Sequence, residues 1–186
     1  MNAGRRPPTR HGIRGQAVVE LVVILPVFVI LLMGMLEFGA AYDHRTAMAY
    51  AVREGARVGA SLGNGGSNPS LVDPTIIAAV QRGLTSPILI ENVTSITIFK
   101  SDSAGQPVAG KVNTYDRYGS LVGAAGWPAT SRVPGLNGDS IGVGVRYDFH
   151  PITPLSSMLS LFFGGPPPYN TIPMSDVTIM KLEPTP

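Results

Sequence analysis

Cysteine is absent from this 186-residue chain, and charge of either sign is scarce. The lack of cysteine excludes disulfides, thiol catalysis and Cys-ligated zinc or iron–sulfur sites. Asp, Glu, Lys and Arg make up only 14% of the residues, whereas hydrophobic residues make up 44%. No acidic side chain occurs before Glu20. What remains is a chain with a basic start and a large apolar surplus.

The positive charge is concentrated in a short leader, residues 1–15. Four arginines lie there, Arg5, Arg6, Arg10 and Arg14, and no acid accompanies them. Without these four, the ten that remain of the 14 Lys and Arg residues face 12 Asp and Glu residues. The formal net charge of +2 therefore belongs to the leader, and we expect no nucleic-acid partner.

An apolar segment of membrane-spanning length follows the leader. No residue from Leu21 to Leu36 is charged. Ala17–Met35 would form roughly 28 Å of helix, close to the thickness of the hydrocarbon core. Because the arginines precede this segment, the positive-inside rule predicts a cytoplasmic N-terminus and an exported C-terminal part. The alternative is a cleaved signal peptide, for which Gly34 or Gly39 would supply the small residue at the cleavage site.

Three residues inside or just beyond this segment are candidates for a helix break or for helix packing. Pro26 removes a helix hydrogen bond and can kink the helix. Gly34 and Gly39 carry no side chain, so another helix could approach closely there. The alternative interpretation is that these glycines are simply common residues of membrane helices.

Glu20 is a lone carboxylate at the start of the apolar run, where burial in lipid would be unfavourable. If a peptidase cut between Gly15 and Gln16, the new α-amine of Gln16 would lie about one helical turn from Glu20. The amine of one helix could then pair with the Glu20 carboxylate of a neighbouring, staggered helix. Gln16 and Glu20 would thereby set the register between subunits. Alternatively, the Glu20 side chain only reaches the polar interface of the membrane.

Short motifs within residues 14–60 resemble one known family. Gly15 followed by Glu20 resembles the type IV prepilin processing site, in which cleavage follows a glycine and glutamate is the fifth mature residue. With three further motifs, the segment resembles the TadE-like family of minor pilins, or pseudopilins, of the tight-adherence (Tad) type IV pilus system. These motifs are Leu25-Pro26, Gly34-Met35-Leu36-Glu37-Phe38-Gly39 and Ala51-Val52-Arg53-Glu54-Gly55-Ala56-Arg57.

The resemblance implies a structural protein that supports biogenesis of an adhesive Tad (Flp) pilus, and not an enzyme. A prepilin peptidase would cut between Gly15 and Gln16, and Glu20 would pair subunits. The partners would be that peptidase, other pilins or pseudopilins, the pilus assembly platform and membrane lipid. The protein would cross the cytoplasmic membrane once, as a membrane protein or as part of the pilus. Two alternatives stay open: a type II secretion pseudopilin, and a membrane-anchored surface-binding module that uses exposed loops around Trp127.

The residue pattern predicts an α+β fold, with a long N-terminal helix and a small exported domain built on an antiparallel sheet of about three strands. We expect the helix to run unbroken from Gln16 to Leu62 and to pack a stripe of small and apolar residues within the chain. A second helix would begin with Asp73 as N-cap and Pro74 as its first residue, and would end near Leu84.

Periodicity and turn residues place the remaining elements. The predicted strands are Val93–Phe99, Ile141–Phe149 and Met174–Leu182. Residues 101–139 are expected to form long loops with only a weak strand at Val108–Val112, and Pro154–Phe163 is expected to form a short helix. The chain would therefore comprise the leader 1–15, the transmembrane and amphipathic helix 16–62, and the exported domain 63–186.

The sequence offers no combination of residues that suggests catalysis or a resident metal. The three histidines are far apart, at His11, His44 and His150. We therefore expect no enzymatic activity and no cofactor. Asp102, Asp116 and Asp139 lie in predicted loops without EF-hand spacing, which leaves calcium binding by the loops open.

Overall fold

The computed structural model describes residues 12–84 and 90–183. Residues 1–11, which hold most of the predicted leader, lie outside the described part of the chain. The described residues form two compact units. The first contains the N-terminal helix through Phe38 together with Ile152–Tyr169, and the second contains residues from Gly39 to Pro151 and from Asn170 onward. These two units are defined by packing within the structure. The three predicted segments, 1–15, 16–62 and 63–186, divide the chain by processing and export, and they stay predictions.

The N-terminal helix α1 is one continuous element, Gly12–Leu62, of 51 residues. This confirms the predicted unbroken helix, and the helical assignment continues through Pro26. The part from Gly15 onward is long and apolar enough to cross a membrane. From Leu21 to Met35, large apolar side chains with no charged residue among them cover the helix, as expected for a helix solvated by lipid.

The second unit is built on a four-stranded antiparallel sheet in the order β2-β1-β3-β4. The strands are β1 (Val93–Ser101), β2 (Pro107–Tyr115), β3 (Ser140–Phe149) and β4 (Ile172–Lys181). Strands β1, β3 and β4 confirm the three predicted strands, and β4 begins two residues earlier than predicted.

Strand β2 corrects the sequence-based interpretation, which expected only a weak strand within long loops. It is an edge strand, and most of its first half is exposed, so apolar and polar residues do not alternate clearly. A tight turn fixes its pairing with β1. Asp102 Oδ1 accepts the backbone N–H groups of Ala104 and Gln106, and Gly105 adopts φ +80°, a conformation that suits glycine.

The core of the second unit lies between one face of the sheet and two helices, the C-terminal part of α1 and helix α2 (Val72–Gly83). Gly59 lies under the side chains of Ile141 and Ile76, where a Cβ atom would be within 3.0 Å of both. The small residues of α1 therefore let the helix lie close to the sheet. This confirms that the stripe containing Ala51 and Gly55 packs within the chain.

Asp73 has a different role from the predicted N-cap. Helix α2 begins at Val72, two residues before the predicted first residue Pro74, and its N-terminus has no side-chain cap. The Asp73 carboxylate instead binds Arg132 Nη2 at 2.5 Å, the Tyr115 hydroxyl at 2.6 Å and the Asn113 amide at 3.0 Å. Burial, followed by the bond to Asp73, raises the pKa of the Tyr115 phenol. Sequence spacing could not reveal this network, because its members come from distant segments.

Trp127 belongs to the same network and is only 1% exposed. Its backbone N–H donates to Asn113 Oδ1 at 2.8 Å, and its carbonyl accepts from Asn113 Nδ2 at 2.9 Å. The Arg132 guanidinium lies 4.8 Å from the centre of the indole ring. The Trp127 side chain is therefore a core group and is not available to the surface-binding role considered above.

Candidate functional site

The predicted cleavage site lies at the start of α1 and is open on all sides. A Cβ atom placed on Gly15 would meet nothing within 4 Å, and Gln16 is exposed. The bond between them is four residues from the first helical residue, Gly12. The first turn of a helix lacks internal partners for its N–H groups, so this region opens more easily than the helix interior. A protease could therefore approach the backbone here without steric hindrance from the described residues.

The structure brings Gln16 and Glu20 together, one turn apart on an exposed face. The Gln16 side-chain amide donates to Glu20 Oε1 at 3.1 Å. In the uncut chain, the backbone nitrogen of Gln16 is an ordinary amide without charge. Cleavage would convert that nitrogen into an ammonium group and would place a cation in the same turn as the carboxylate. The arrangement can thus hold one positive and one negative group at the end of the helix.

Gly34 and Gly39 both face open space, because a Cβ atom on either would meet nothing within 4 Å. They are five residues apart, which separates them by about 140° around the helix axis. The structure therefore places them on different faces and does not combine them into one contact patch. Pro26 lies within the same helix and does not interrupt it.

Glu37 is a site residue that the sequence reasoning did not single out. It lies directly after the apolar run and is only 6% exposed. Its two oxygens accept the backbone N–H of Ile152 at 3.0 Å, the backbone N–H of Thr153 at 3.1 Å and the Thr153 hydroxyl at 2.7 Å. A buried carboxylate needs such partners to offset its lost hydration. The sequence contains one signal that could have pointed to Glu37: it is the first charged residue after the uncharged run Leu21–Leu36.

This contact holds the start of a short apolar helix, α3 (Leu155–Phe163), which confirms the predicted helix at this position. Leu155 and Leu159 of α3 line an apolar groove of about 460 Å³ together with residues of α1. The α1 residues in this groove are Ile30, Leu31, Gly34, Met35 and Phe38. Because Gly34 has no side chain, it leaves room inside the groove, and a Cβ atom placed there would meet nothing within 4 Å.

Tyr169 ends the chain segment that belongs to this first unit. Its backbone N–H donates to the Ser156 hydroxyl at 3.3 Å. Burial raises the pKa of the Tyr169 phenol, and the negative charge of Glu37 raises it further. Tyr169 therefore stays neutral at physiological pH beside the buried carboxylate.

Within residues 12–84 and 90–183, no cluster of three or more His, Asp or Glu side chains could hold a metal ion. His44 packs edge-on against Tyr147 and Phe149, with ring centroids 5.5 and 5.1 Å away. His150 lies beside the Asp148 carbonyl, in a shallow cleft at one end of the sheet. The predicted absence of a catalytic site and of a cofactor stays a prediction.

Comparison with known proteins gives a match to a family model. The model of the family described as TadE-like protein matches residues 15–57. No curated protein and no solved structure matches the chain. The matched segment contains every site residue considered on α1: Gly15, Gln16, Glu20, Pro26, Gly34, Glu37 and Gly39. Most of the second unit, including its whole sheet, lies outside the matched range.

Proposed function

We propose that this chain is a minor pilin-like subunit of a Tad pilus. The observation that carries the proposal is the TadE-like match over residues 15–57, which coincides with a helix long and apolar enough to cross a membrane. In this role the chain is an assembly component and not an enzyme. Its partners are a prepilin peptidase, other pilins or pseudopilins, the pilus assembly platform and the membrane lipid.

The first step in this function is cleavage between Gly15 and Gln16 by the prepilin peptidase. Glycine suits the position before the cut, because the absence of a side chain lets the peptidase approach the backbone. The open surroundings of Gly15 support this step. The cut removes the basic leader, whose arginines hold the N-terminus on the cytoplasmic side until processing is complete.

The second step is pairing between subunits through the new N-terminus. The ammonium group of Gln16 in one subunit contacts the Glu20 carboxylate of a neighbour that is shifted along the helix axis. Two unpaired charges near lipid are unfavourable, and they attract each other strongly where the dielectric is low. The pair therefore favours one axial register over others. The exposure of Glu20, whose described partner is the neutral Gln16 side chain, supports this role.

Export of the sheet-containing unit completes the arrangement. The charge asymmetry across the span places the C-terminal part outside the cytoplasm. There the domain would sit at the base, at the tip or along the pilus, where a minor subunit influences initiation and assembly.

Complementation of a deletion strain tests this function. Pili are counted after the gene is restored as wild type, as Gly15→Leu or as the matched control Gly12→Leu, which alters another glycine of the leader. We expect wild type and Gly12→Leu to restore pili, whereas Gly15→Leu accumulates as the precursor and does not. Normal pili in the deletion strain, together with a loss of protein secretion, would contradict the proposal and would favour the type II secretion pseudopilin.

A further inference from the structure

The segment around α3 is unusually apolar for a part of the chain outside the predicted span. No residue from Pro151 to Ser175 carries a charged side chain. At the end of α3, Leu161 and Phe163 are each 80% exposed, and Phe162 between them is also exposed. Adjacent large apolar side chains that residues 12–84 and 90–183 leave uncovered mark a contact surface for another molecule.

The position of α3 along α1 shows which environment it meets. Leu155 and Leu159 line the same groove as Ile30 and Leu31. These two α1 residues lie inside the predicted span Ala17–Met35, and Ile30 is about 8 Å of helix before its end. When the span occupies the hydrocarbon core, a helix packed against Ile30 and Leu31 must lie at the same depth.

The polar groups of this segment are satisfied in a way that suits lipid. The carboxylate of Glu37, two residues beyond the predicted span, accepts the N–H groups of Ile152 and Thr153 before α3 begins. The Ser160 hydroxyl donates to the carbonyl of Gly165. Backbone and side-chain polar groups must have internal partners where water is absent.

The turn after α3 is also poor in groups that need water. Three consecutive prolines, Pro166, Pro167 and Pro168, have no backbone N–H to satisfy. Tyr169 follows, and tyrosine is enriched where a membrane meets water. The turn therefore adds three residues that have no backbone donor to satisfy.

We propose that α3 is a second membrane-contacting element, which inserts beside the C-terminal end of the span into the acyl chains of one leaflet. Leu161, Phe162 and Phe163 contact lipid, and the groove shared with α1 is filled by an acyl chain. The exposed apolar surface of α3 is continuous with the surface of α1 that would face lipid. This continuity favours lipid over a soluble partner. The inference rests on the membrane anchoring that is part of the proposed function.

Site-directed fluorescence in lipid nanodiscs tests this inference with the full-length chain. Because the protein contains no cysteine, a single cysteine can carry an environment-sensitive label without further changes. The test positions are Phe163→Cys and, independently, Leu161→Cys. Phe28→Cys is the control for the span, and Leu136→Cys, at a side chain that is 90% exposed in the second unit, is the control for water.

Quenching by brominated lipid and by aqueous iodide gives the result. We expect the labels at positions 161 and 163 to lose as much fluorescence to brominated lipid as the label at position 28. The labels at positions 161 and 163 should lose much less fluorescence to iodide than the label at position 136. Iodide quenching as strong as at position 136 would overturn the inference, and so would protection from both quenchers, which would indicate a covering protein chain.

The label at position 28 separates this inference from the proposed function. If it is quenched by lipid while positions 161 and 163 are not, the span is anchored and only the role of α3 is wrong. If position 28 is also inaccessible to lipid, the anchoring itself is contradicted, and the inference about α3 is overturned with it.

Discussion

The two acidic residues that border the apolar run have opposite surroundings, and this difference assigns their roles. Glu37 is buried and accepts three hydrogen bonds from its own chain. Glu20 is exposed and meets only the neutral amide of Gln16 in the described structure. A carboxylate that is already satisfied gains little from a new partner, whereas Glu20 keeps its capacity to bind a cation. Glu20 is therefore the residue that we propose for subunit pairing.

Replacing Glu20 by alanine tests this assignment. We expect the mature chain to keep its length, because the cleaved bond is several residues away. Its incorporation into pili should fall about tenfold, which corresponds to the loss of an interaction of ~1.4 kcal/mol. Glu20→Asp, which keeps the charge, is the matched control and should retain more incorporation. Equal amounts of Glu20→Ala and wild-type protein in purified pili would contradict the pairing role.

Asp73 joins three side chains in the sheet-containing unit, those of Asn113, Tyr115 and Arg132. In Asp73→Ala, the fully buried guanidinium of Arg132 would lose its carboxylate partner. Removing one partner of a buried ion pair costs about 3–5 kcal/mol. The free energy of unfolding of the detergent-solubilised chain should fall by that amount. The fluorescence of Trp127, the single tryptophan of the chain, reports directly on this region.

Glu54→Ala provides the comparison for this measurement. Glu54 pairs with Arg57 on an exposed face of α1, where solvent screens the interaction. This variant should unfold almost like the wild type. If Asp73→Ala were as stable as Glu54→Ala, the buried network would not have the structural role assigned to it.

At the scale of elements, the sequence predicted what depends on local pattern. The uninterrupted apolar run before Leu36 predicts the first part of α1, and alternation of apolar with other residues predicts β1 and β3. Strand β2 was predicted only as a weak, shorter strand at Val108–Val112, because an exposed edge strand lacks that alternation. The contact of Glu37 with Thr153 was missed, because it joins residues that are 116 positions apart. Long-range polar contacts leave no periodic signal in a single sequence.

The crossing of α1 and α2 depends on a glycine whose importance is visible only in the packed structure. A Cβ atom on Gly83 would lie 2.7 Å from the Cα atom of Ala51 and 2.8 Å from its Cβ atom. Because backbone atoms cannot move aside easily, Gly83→Ala should lower the free energy of unfolding by about 1–3 kcal/mol, despite the better helix propensity of alanine.

Gly39→Ala is the matched control for this change, because it also introduces one methyl group into a helix but meets no atom within 4 Å. The free energy of unfolding should stay the same or rise slightly in this variant. A lowered stability of Gly39→Ala together with an unchanged Gly83→Ala would contradict the packing described here.

For the whole molecule, the two parts of the chain differ in what they share with known proteins. The TadE-like match covers residues 15–57, the part that contains the predicted cleavage site, the predicted span and the residues proposed to pair subunits. The sheet-containing unit is mostly outside the match. The proposed anchoring, processing and pairing therefore all involve residues of the N-terminal helix. The sheet-containing unit holds a buried network centred on Asp73 and Arg132.

The central claim is that the functioning subunit begins at Gln16, so that an ammonium group lies within one turn of Glu20. N-terminal sequencing of the chain recovered from purified pili and from membranes tests it most directly. We predict that the sequence begins with Gln16-Ala17-Val18-Val19-Glu20, or with the same residues carrying a modified amine. Pili that contain the chain with its first fifteen residues intact would contradict the account.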